Sequence, residues 1–451
     1  MSPARKVVVI GAGLTGLSAA VNLRARGAEV TILESSSQPG GPVRSEHDGG
    51  FLVEHGPNSM MIPDTEVADF LRTLGLEADI VEPQAKKRFL VRKGRPLALP
   101  LGPAGAFTTP LFTLAGKLRV LSEPFVSRGV TDDESLASFV SRRLGPEALA
   151  YAVEPFVAGI YAGDPEKLSA RWAFPKLWNL EREHGSLVRG ALGKKRGDYR
   201  PKMISFRNGM GELPQRMAGK LEANLHCGVR VENIERSGNK WLVEWSRAGT
   251  THRGTADAVV STIPAFNVPD LPWPRDLANS LEFLREIVYP PVTVAALGFR
   301  RADVAHPLDG FGMLVPSAEK RRVLGAIFSS SLFPGRAPRD HVLLTVFVGG
   351  ERQPRLAQLG DDALEQDILS DLHDLLGVRG APVFRRVVRW SRAIPQYNTG
   401  YGAFLDRMEK AERDWSGLHL VGNYRGGIAA GQCIQNGLRL AEQLSTPSSA
   451  S

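Results

Sequence analysis

The hydrophobic and polar pattern at the start of the chain predicts a strand, a helix and a second strand. Val7 to Ile10 is a short apolar run typical of a buried strand. Apolar residues then recur at helical spacing from Leu14 to Leu23, and Gly27 marks the end of the helix. Val30 to Leu33 is the second apolar run. The order of elements is typical of a βαβ unit.

Further along the chain, a mostly helical region precedes a region dominated by strands. Helices are predicted over 134–144 and 146–158, and an amphipathic helix over 362–376. Near the C-terminus, a strand at 418–421, a glycine-rich turn and a helix over 433–444 are predicted. The other predicted strands are 228–234, 241–245, 258–263, 292–299, 323–329, 342–348 and 383–390. The pattern indicates a mixed α/β fold.

Length and composition are those of an ordinary globular protein. The 451 residues predict two or three domains at roughly 100–200 residues each. Two cysteines are too few for a disulfide framework and favour a reducing compartment. No uncharged apolar run reaches the ~18 residues of a membrane-spanning helix. The N-terminal apolar run leads directly into a glycine motif, so we expect no removable signal peptide there.

The glycine motif Gly11-Ala12-Gly13-Leu14-Thr15-Gly16 lies between the first strand and the helix, and Glu34 ends the second strand. This context is the one that a dinucleotide fingerprint requires. Gly11 permits the tight turn, Gly13 lets a pyrophosphate approach the backbone, and Gly16 allows close packing. A carboxylate at Glu34 can bind a ribose hydroxyl and would repel a 2′-phosphate. The motif predicts a bound dinucleotide.

Further glycine-rich segments favour FAD over NAD. Gly40 to Ser45 and Gly49 to Pro57 follow the second strand, and Gly422 to Gly427 follows the C-terminal strand. A long dinucleotide contacted from both ends of the chain fits FAD better. The nine histidines are scattered, with no H-E-x-x-H motif, and no G-x-S-x-G elbow or phosphate-binding P-loop is found. We therefore expect no metal site.

The same motifs resemble the flavin amine oxidase superfamily and, more narrowly, the porphyrinogen oxidases of haem synthesis. The narrower resemblance is carried by Gly159 to Pro165, Gly310 to Pro316, Ile394 to Tyr397 and Leu420 to Tyr424. It implies a discontinuous, Rossmann-like FAD-binding domain of the amine-oxidase type, a mixed-sheet substrate domain and a helical membrane-docking insertion. The implied ranges are 1–85, 205–265 and 395–446 for FAD, 86–204 for membrane docking and substrate access, 266–394 for substrate, and 447–451 for a flexible tail.

The resemblance also assigns residues, each by its place in a motif. The implied cofactor-binding residues are Gly11, Ala12, Gly13, Leu14, Thr15, Gly16, Glu34, Ser35, Gly41, Pro42, Arg44, Gly56, Pro57, Asn58, Ser59, Val231, Asn423, Ile428, Ala429 and Ala430. The implied substrate-binding residues are Arg88, for a propionate, Gly159, and the apolar Leu314, Ile327 and Phe347. The sequence departs from the family at Gln432, commonly acidic, and at Ala429, frequently glycine. No side chain is assigned as catalytic.

The implied reaction oxidises protoporphyrinogen IX, or coproporphyrinogen III in a bacterial branch. It removes six electrons in three two-electron steps and passes each pair through the flavin to molecular oxygen. The resemblance allows two further partners, a ferrochelatase that takes over the product and a second copy of the chain. We expect a cytoplasmic protein that contacts the inner face of the cell membrane peripherally.

Charge distribution supports the membrane contact. The chain has 56 basic and 48 acidic residues, a net charge of +8. Residues 86–204 hold 21 basic and 11 acidic residues, whereas the rest hold 35 and 37. The excess therefore lies in the docking segment, where it favours anionic lipid, and no nucleic-acid-binding motif is found. Two alternatives stay open: an amine or carotenoid oxidoreductase on the same FAD scaffold, and a flavin-free scaffold or nucleic-acid-binding protein.

Overall fold

The computed structural model describes residues 4–100, 105, 108–193 and 199–445. The predicted tail, 447–451, lies outside these residues. Strands in the described part of the chain are numbered in chain order: β1 Lys6–Ile10, β2 Glu29–Glu34, β3 Ser45–Asp48, β4 Phe51–Glu54, β5 Met60–Ile62, β6 Ile80–Val81, β7 Lys87–Arg92, β8 Arg95–Ala98, β9 Lys202–Phe206, β10 Leu225–Cys227, β11 Arg230–Ser237, β12 Lys240–Arg247, β13 Thr250–Ala256, β14 Ala258–Ser261, β15 Val292–Arg300, β16 Gly310–Leu314, β17 Val323–Phe328, β18 His341–Gly349, β19 Phe384–Trp390 and β20 Leu418–Leu420.

The α-helices in the same residues are Leu14–Ala25, Thr65–Thr73, Leu114–Leu121, Leu136–Leu144, Pro146–Ala148, Glu154–Tyr161, Ala170–Ala173, Pro175–His184, Leu187–Gly193, Glu212–Gly219, Arg275–Leu281, Ser329–Leu332, Asp361–Leu376, Tyr401–Asp414 and Ala430–Ser445. The helix predicted over 146–158 is interrupted by a π-helical turn at Leu149–Val153. Pro155 follows that turn, and because proline has no N–H it cannot donate to the carbonyl four residues before it. None of the described helices is long and apolar enough to cross a bilayer.

A five-stranded parallel sheet gathers strands from distant parts of the chain. Its order is β10-β2-β1-β14-β20, and every neighbouring pair is parallel. The apolar run Val7 to Ile10 is buried, as expected for a strand covered on both sides. Helices Leu14–Ala25 and Ala430–Ser445 pack against each other beside this sheet. Because parallel strands share one direction, their carboxyl ends meet at one edge, called here the cofactor edge.

The second large sheet is mixed and seven-stranded, with the order β19-β15-β18-β17-β16-β7-β8. Only the β16–β7 pair is parallel. Helix Asp361–Leu376 covers one face, and its apolar side chains form a single buried cluster with those of the strands. Smaller sheets are β11-β12-β13, β3-β4 and β5-β9-β6.

The segment 86–204, which is expected to be mostly helical, begins with two strands. Its first residues form β7 and β8, a hairpin that extends the seven-stranded sheet. Lys93 and Gly94, at the turn, both have positive φ, of 53° and 70°. Two successive residues of this kind are typical of a type I′ turn, whose twist matches that of a hairpin.

Candidate functional site

The glycine motif forms the turn between β1 and helix Leu14–Ala25 at the cofactor edge. Gly11 has a φ of 104°, a conformation that favours glycine, and its N–H donates to Leu33 O at 2.8 Å. A Cβ on Gly16 would stand 2.1 Å from Gly11 O. Thr262, at the end of β14, donates its hydroxyl to the same carbonyl at 2.9 Å. These contacts fix the turn in a shape that only glycine permits at positions 11 and 16.

Glu34 lies at the end of β2, and its buried carboxylate is held by the chain itself. One oxygen accepts from Ala12 N and the other from Ser36 N, each at 2.8 Å. Each oxygen retains a lone pair that a ribose hydroxyl can use. Val229 N donates to Glu34 O at 3.0 Å, which brings the start of β11 and therefore Val231 towards this corner. Ser35 follows Glu34 and is exposed.

The helix that follows the glycine motif begins without a capping side chain. Gly13 occupies the N-cap position, and the first turn contains no acidic residue. A Cβ on Gly13 would meet no atom within 4 Å. Backbone N–H groups at the first turn of a helix attract anions. The open space at Gly13 therefore fits the pyrophosphate of a dinucleotide.

Two loops complete this side of the cofactor edge. Gly40 N donates to Ala12 O at 2.8 Å, which places the loop with Gly41, Pro42 and Arg44 against the glycine motif. A Cβ on Gly56 would stand 2.4 Å from Pro42 O, so the next loop, containing Pro57, Asn58 and Ser59, packs on the first. Arg44 Nε is buried and has no partner among the described residues. An unsatisfied buried donor of this kind fits a polar or anionic ligand.

A buried carboxyl group supports the same loops. Glu54, at the end of β4, accepts from Met210 N at 2.9 Å and hydrogen-bonds the hydroxyl of Ser45 at 2.5 Å. Arg336 lies 3.8 Å away. Burial raises the pKa of Glu54 to about 7, and the hydrogen bonds and Arg336 oppose that shift only in part.

The C-terminal turn joins the edge after β20. Tyr397 donates its hydroxyl to Asn423 O at 2.6 Å and accepts from Gly427 N at 3.0 Å. Ile428, Ala429 and Ala430 follow, and helix Ala430–Ser445 begins earlier than the predicted residue 433. Gln432, the departure from the family pattern, accepts from Ala429 N at 3.1 Å and so caps this helix itself.

Together, these groups fit FAD. The cofactor edge offers an uncapped helix N-terminus, a buried carboxylate with free lone pairs and an orphan donor at Arg44. The predicted cofactor residues from 11 to 59 are joined by direct contacts. Val231 and the residues from Asn423 onward reach the same edge through β11 and β20.

Three of the five predicted substrate residues share one face of the seven-stranded sheet, called here the open face. Leu314 pairs with Gly325, and Gly325 pairs with Phe347, so the two side chains lie in one row across three strands. Ile327 lies two residues beyond Gly325 and therefore points to the same side. All three are partly exposed. Their neighbours on the other face are buried under helix Asp361–Leu376: Met313, Ala326 and Val346.

Gly159 and Arg88 approach this open face. Helix Glu154–Tyr161 carries Gly159, and a Cβ there would stand 2.7 Å from Leu314 Cδ2. Arg88 is exposed on β7, and its guanidinium carbon lies 5.2 Å from the ring centre of Phe311. Strand alternation places Arg88 on the same side as Leu90, the partner of Leu314. The structure therefore brings the five residues to one side of one sheet.

A polar cluster fixes helix Glu154–Tyr161 to the sheet. Glu154 is buried and accepts from Arg352 Nη1 at 2.8 Å and from Ser317 N at 3.1 Å. Arg352 also contacts Asp164, beyond the other end of the helix, at 3.4 Å. Burial raises the pKa of Glu154, and Arg352 opposes the shift. Ser317 and Arg352 follow β16 and β18, so the cluster ties the helix to the strands that carry Leu314 and Phe347.

Sequence reasoning did not single out several supporting residues. Thr262, Ser36 and Tyr397 hold the cofactor edge by hydrogen bonds, and Arg352 anchors the helix over the open face. The sequence indicates Tyr397 only as part of the motif Ile394 to Tyr397. For the others, the contacts join residues far apart in sequence, which no local pattern reveals.

Comparisons with known proteins agree with this geometry. The profile of the family described as flavin containing amine oxidoreductase matches residues 14–445. Protoporphyrinogen oxidase 2, chloroplastic/mitochondrial, of Arabidopsis thaliana is 35% identical over 97% of this chain and 93% of its own length. Coproporphyrinogen III oxidase of Bacillus subtilis (strain 168) is 26% identical over 97% of each chain.

Among solved structures, a provisionally named protoporphyrinogen oxidase from Exiguobacterium sp. 255-15 has the same fold. Its TM-score is 0.83 at 23% identity, and the match covers 98% of this chain and 99% of that one. The profile match and the plant relative each extend over nearly the whole sequence. The chain belongs to the flavin-containing amine oxidoreductases and, within them, to the porphyrinogen oxidase family.

Proposed function

We propose that this protein is an FAD-dependent porphyrinogen oxidase that converts protoporphyrinogen IX to protoporphyrin IX. The observation that carries the proposal is the nearly full-length similarity, at 35% identity, to a plant protoporphyrinogen oxidase. A dinucleotide-compatible edge and a nearby apolar, partly exposed sheet face support it. FAD, when bound, accepts electron pairs from the substrate and passes them to oxygen.

The chain's own contribution is to bind and orient the macrocycle. Flat pyrrole rings pack well on the apolar side chains of Leu314, Ile327 and Phe347, and Gly159, which has no side chain, lets helix Glu154–Tyr161 lie directly against Leu314. Within the described part of the chain, the guanidinium of Arg88 lies over the Phe311 ring and forms no ion pair, so it can form a bidentate contact with a propionate. Helix Glu154–Tyr161 is held in place by the Glu154–Arg352 pair. We assign no side-chain acid or base to the reaction.

The test is substrate-dependent bleaching of the flavin under anaerobic conditions. Porphyrinogen should bleach the visible flavin absorption, and air should restore it, with three molecules of hydrogen peroxide formed for each porphyrin. A polyamine should leave the spectrum unchanged. Bleaching by the polyamine alone would assign the protein to the amine oxidases instead. A purified protein without any flavin absorption would refute the whole proposal.

The second candidate is oxidation of coproporphyrinogen III, favoured by the similarity to the Bacillus subtilis enzyme. Four propionates would require more basic partners than the two of protoporphyrinogen, and Lys86 lies two residues before Arg88 on the same exposed segment. Comparing kcat/KM for the two porphyrinogens decides between them. We expect the higher value for protoporphyrinogen IX.

We also propose a peripheral membrane contact through an exposed apolar patch, defined by Leu114, Leu118, Leu121, Phe125 and Leu192. Each of these side chains is at least half exposed, and Phe125 is 85% exposed. The first three lie on one face of helix Leu114–Leu121. A group of exposed apolar side chains in a segment with excess positive charge is typical of a lipid-binding surface. Two other predicted partners, a ferrochelatase that takes over the product and a second copy of the chain that forms a homodimer, stay predictions.

The patch rests on a buried ion pair. Arg143 and Glu123 are both fully buried and in contact. Glu123 also accepts from Leu187 N at 2.8 Å and Val188 N at 3.2 Å. The pair therefore joins the turn that carries Phe125 to the helix that carries Leu192. A rigid base keeps these apolar side chains exposed together.

Vesicle sedimentation tests the membrane contact. At low salt, the protein should sediment with anionic vesicles and not with neutral ones. The double substitution F125S/L192S should weaken binding about tenfold, because it removes apolar side chains from the proposed contact. V383S, at an exposed valine elsewhere, is the matched control and should bind as the wild type does. Equal binding by the double variant would overturn the proposal.

A further inference from the structure

Two adjacent buried residues after β19 reach both halves of the site. Gln396 and Tyr397 are 1% and 5% exposed. In an extended segment, neighbouring side chains point in opposite directions. Here one reaches the C-terminal turn of the cofactor edge, and the other reaches the helix that lies over the open face.

Tyr397 closes the C-terminal turn. Its hydroxyl donates to Asn423 O at 2.6 Å and accepts from Gly427 N at 3.0 Å, so one oxygen joins the two ends of the turn. The ring packs against Tyr401, with ring centres 4.5 Å apart. The cofactor-edge residues Ile428 to Ala430 begin directly after Gly427. Loss of the hydroxyl would leave the buried Gly427 N–H and the partly buried Asn423 O without this partner.

Gln396 holds the end of helix Glu154–Tyr161. Its Nε2 donates to Tyr161 O at 2.8 Å and to Ile394 O at 3.0 Å. Its Oε1 is buried and has no partner among the described residues, and a Cβ on Gly163 would stand 2.2 Å from it. The hydrogen bonds of the Gln396 side chain therefore come from its two N–H donors, which join the helix end to the segment that carries Gln396.

We infer that Tyr397 and Gln396 are positioning residues that set the spacing between the C-terminal cofactor turn and the substrate-lining helix. One short segment fixes the turn through Tyr397 and the helix end through Gln396, so neither can shift without straining the other. The inference rests on the proposed function for its substrate arm, whereas its cofactor arm requires only that the protein binds FAD.

The cofactor arm is tested by Y397F. This variant keeps the ring and removes the hydroxyl, and the Kd for FAD should rise about tenfold, with a shift of the flavin absorption bands. Y161F is the matched control, since Tyr161 is equally buried in the same aromatic cluster but donates its hydroxyl to Ala173 O. Y161F should leave the Kd and the spectrum unchanged. Equal FAD binding by Y397F and wild type would overturn this arm.

The substrate arm is tested by Q396M, which keeps the side-chain length and removes both donors. KM for protoporphyrinogen should rise about fivefold, while the flavin spectrum and the Kd for FAD stay those of the wild type. Amide exchange of Tyr161 and Ala162 should become faster, but that of Gly427 should not. An unchanged KM and unchanged exchange would refute the role of Gln396.

FAD affinity and amide exchange distinguish a failure of this inference from a failure of the proposed function. If wild-type holoenzyme does not oxidise any porphyrinogen, the proposed function fails, but FAD affinity and amide exchange still decide the inference. If Y397F does not fold, exchange of the Gly427 amide in wild-type apoprotein decides instead. Protection of that amide without FAD supports the inference, and rapid exchange overturns it.

Discussion

The cofactor edge presents mainly backbone groups, whereas the open face of the seven-stranded sheet presents side chains. At the edge, glycines at 11, 13 and 16 bring N–H and carbonyl groups close to where a dinucleotide fits. On the open face, Leu314, Ile327 and Phe347 are ordinary strand residues that differ from their neighbours only in exposure. The proposed substrate surface is therefore one partly exposed side of a sheet whose other side is core.

The largest effect is expected from alanine at glycines of the cofactor edge. G16A should cost about 4 kcal/mol of folding free energy, because its Cβ would collide with the backbone oxygen of Gly11. G13A should fold normally but bind FAD about 100-fold more weakly, since its methyl group would occupy the space left for the cofactor. Thermal unfolding and FAD titration measure both.

Gly219, an exposed glycine near a helix end with no atom close to its Cβ position, provides the control. G219A should change neither stability nor FAD affinity appreciably. Tight FAD binding by G13A would show that this part of the edge is not a backbone-built site.

A pH-dependent loss of stability is expected at the cofactor edge from Glu54. Its pKa is raised to about 7 in the folded protein, from 4.5, so folding favours the protonated form. The free energy of unfolding of the apoprotein should therefore fall by about 3 kcal/mol as pH rises from 4.5 to 7, and this contribution stays lost above pH 7.

The variant E54Q mimics the neutral acid and should remove this pH dependence, as measured by urea unfolding at pH 5 and pH 8. E29Q, at an exposed glutamate, should retain it. The same slope in E54Q and wild type would show that Glu54 titrates normally.

The two faces of the sheet are compared directly by neighbouring residues of β16. M313A should cost about 3 kcal/mol of stability with little change in KM, because Met313 is buried under helix Asp361–Leu376. L314A should cost less stability and raise KM for porphyrinogen. If both variants changed stability and KM alike, the distinction between the faces would be lost. Urea unfolding and steady-state kinetics on the same preparations give the comparison.

The smallest effect is expected at Arg88. R88A should raise KM about tenfold, roughly 1.4 kcal/mol, because the exposed guanidinium would bind a propionate while still in contact with water. R88K should recover only part of the loss, since an ammonium group lacks the bidentate fork. R339A, at a fully exposed arginine, should leave KM unchanged. No change in R88A would remove Arg88 from the substrate site.

The sequence pattern carries more information about the cofactor edge than about the open face. The motif at 11–16 and Glu34 have a fixed spacing because backbone geometry dictates it, and the structure joins them as expected. Strand β13 was missed because Thr250–Ala256 is mostly exposed and polar, without apolar alternation. The family resemblance assigns β7 to a helical segment, because its pairing with β16 depends on residues more than 200 positions away that no local pattern reveals. Leu314, Ile327 and Phe347 were identified only by family resemblance, because exposure is decided by tertiary packing.

The strand order of the parallel sheet also has a consequence for synthesis of the chain. β1 and β2 emerge early from the ribosome, yet β14 must wait for β20, and helix Leu14–Ala25 must wait for helix Ala430–Ser445. Contacts between such distant residues form late and slowly. Until residues 418–445 have been synthesised, the surfaces of β14 and helix Leu14–Ala25 that contact these residues stay uncovered. Since the proposed cofactor contacts include residues 423–430, we expect FAD to bind only after this part of the chain has been synthesised.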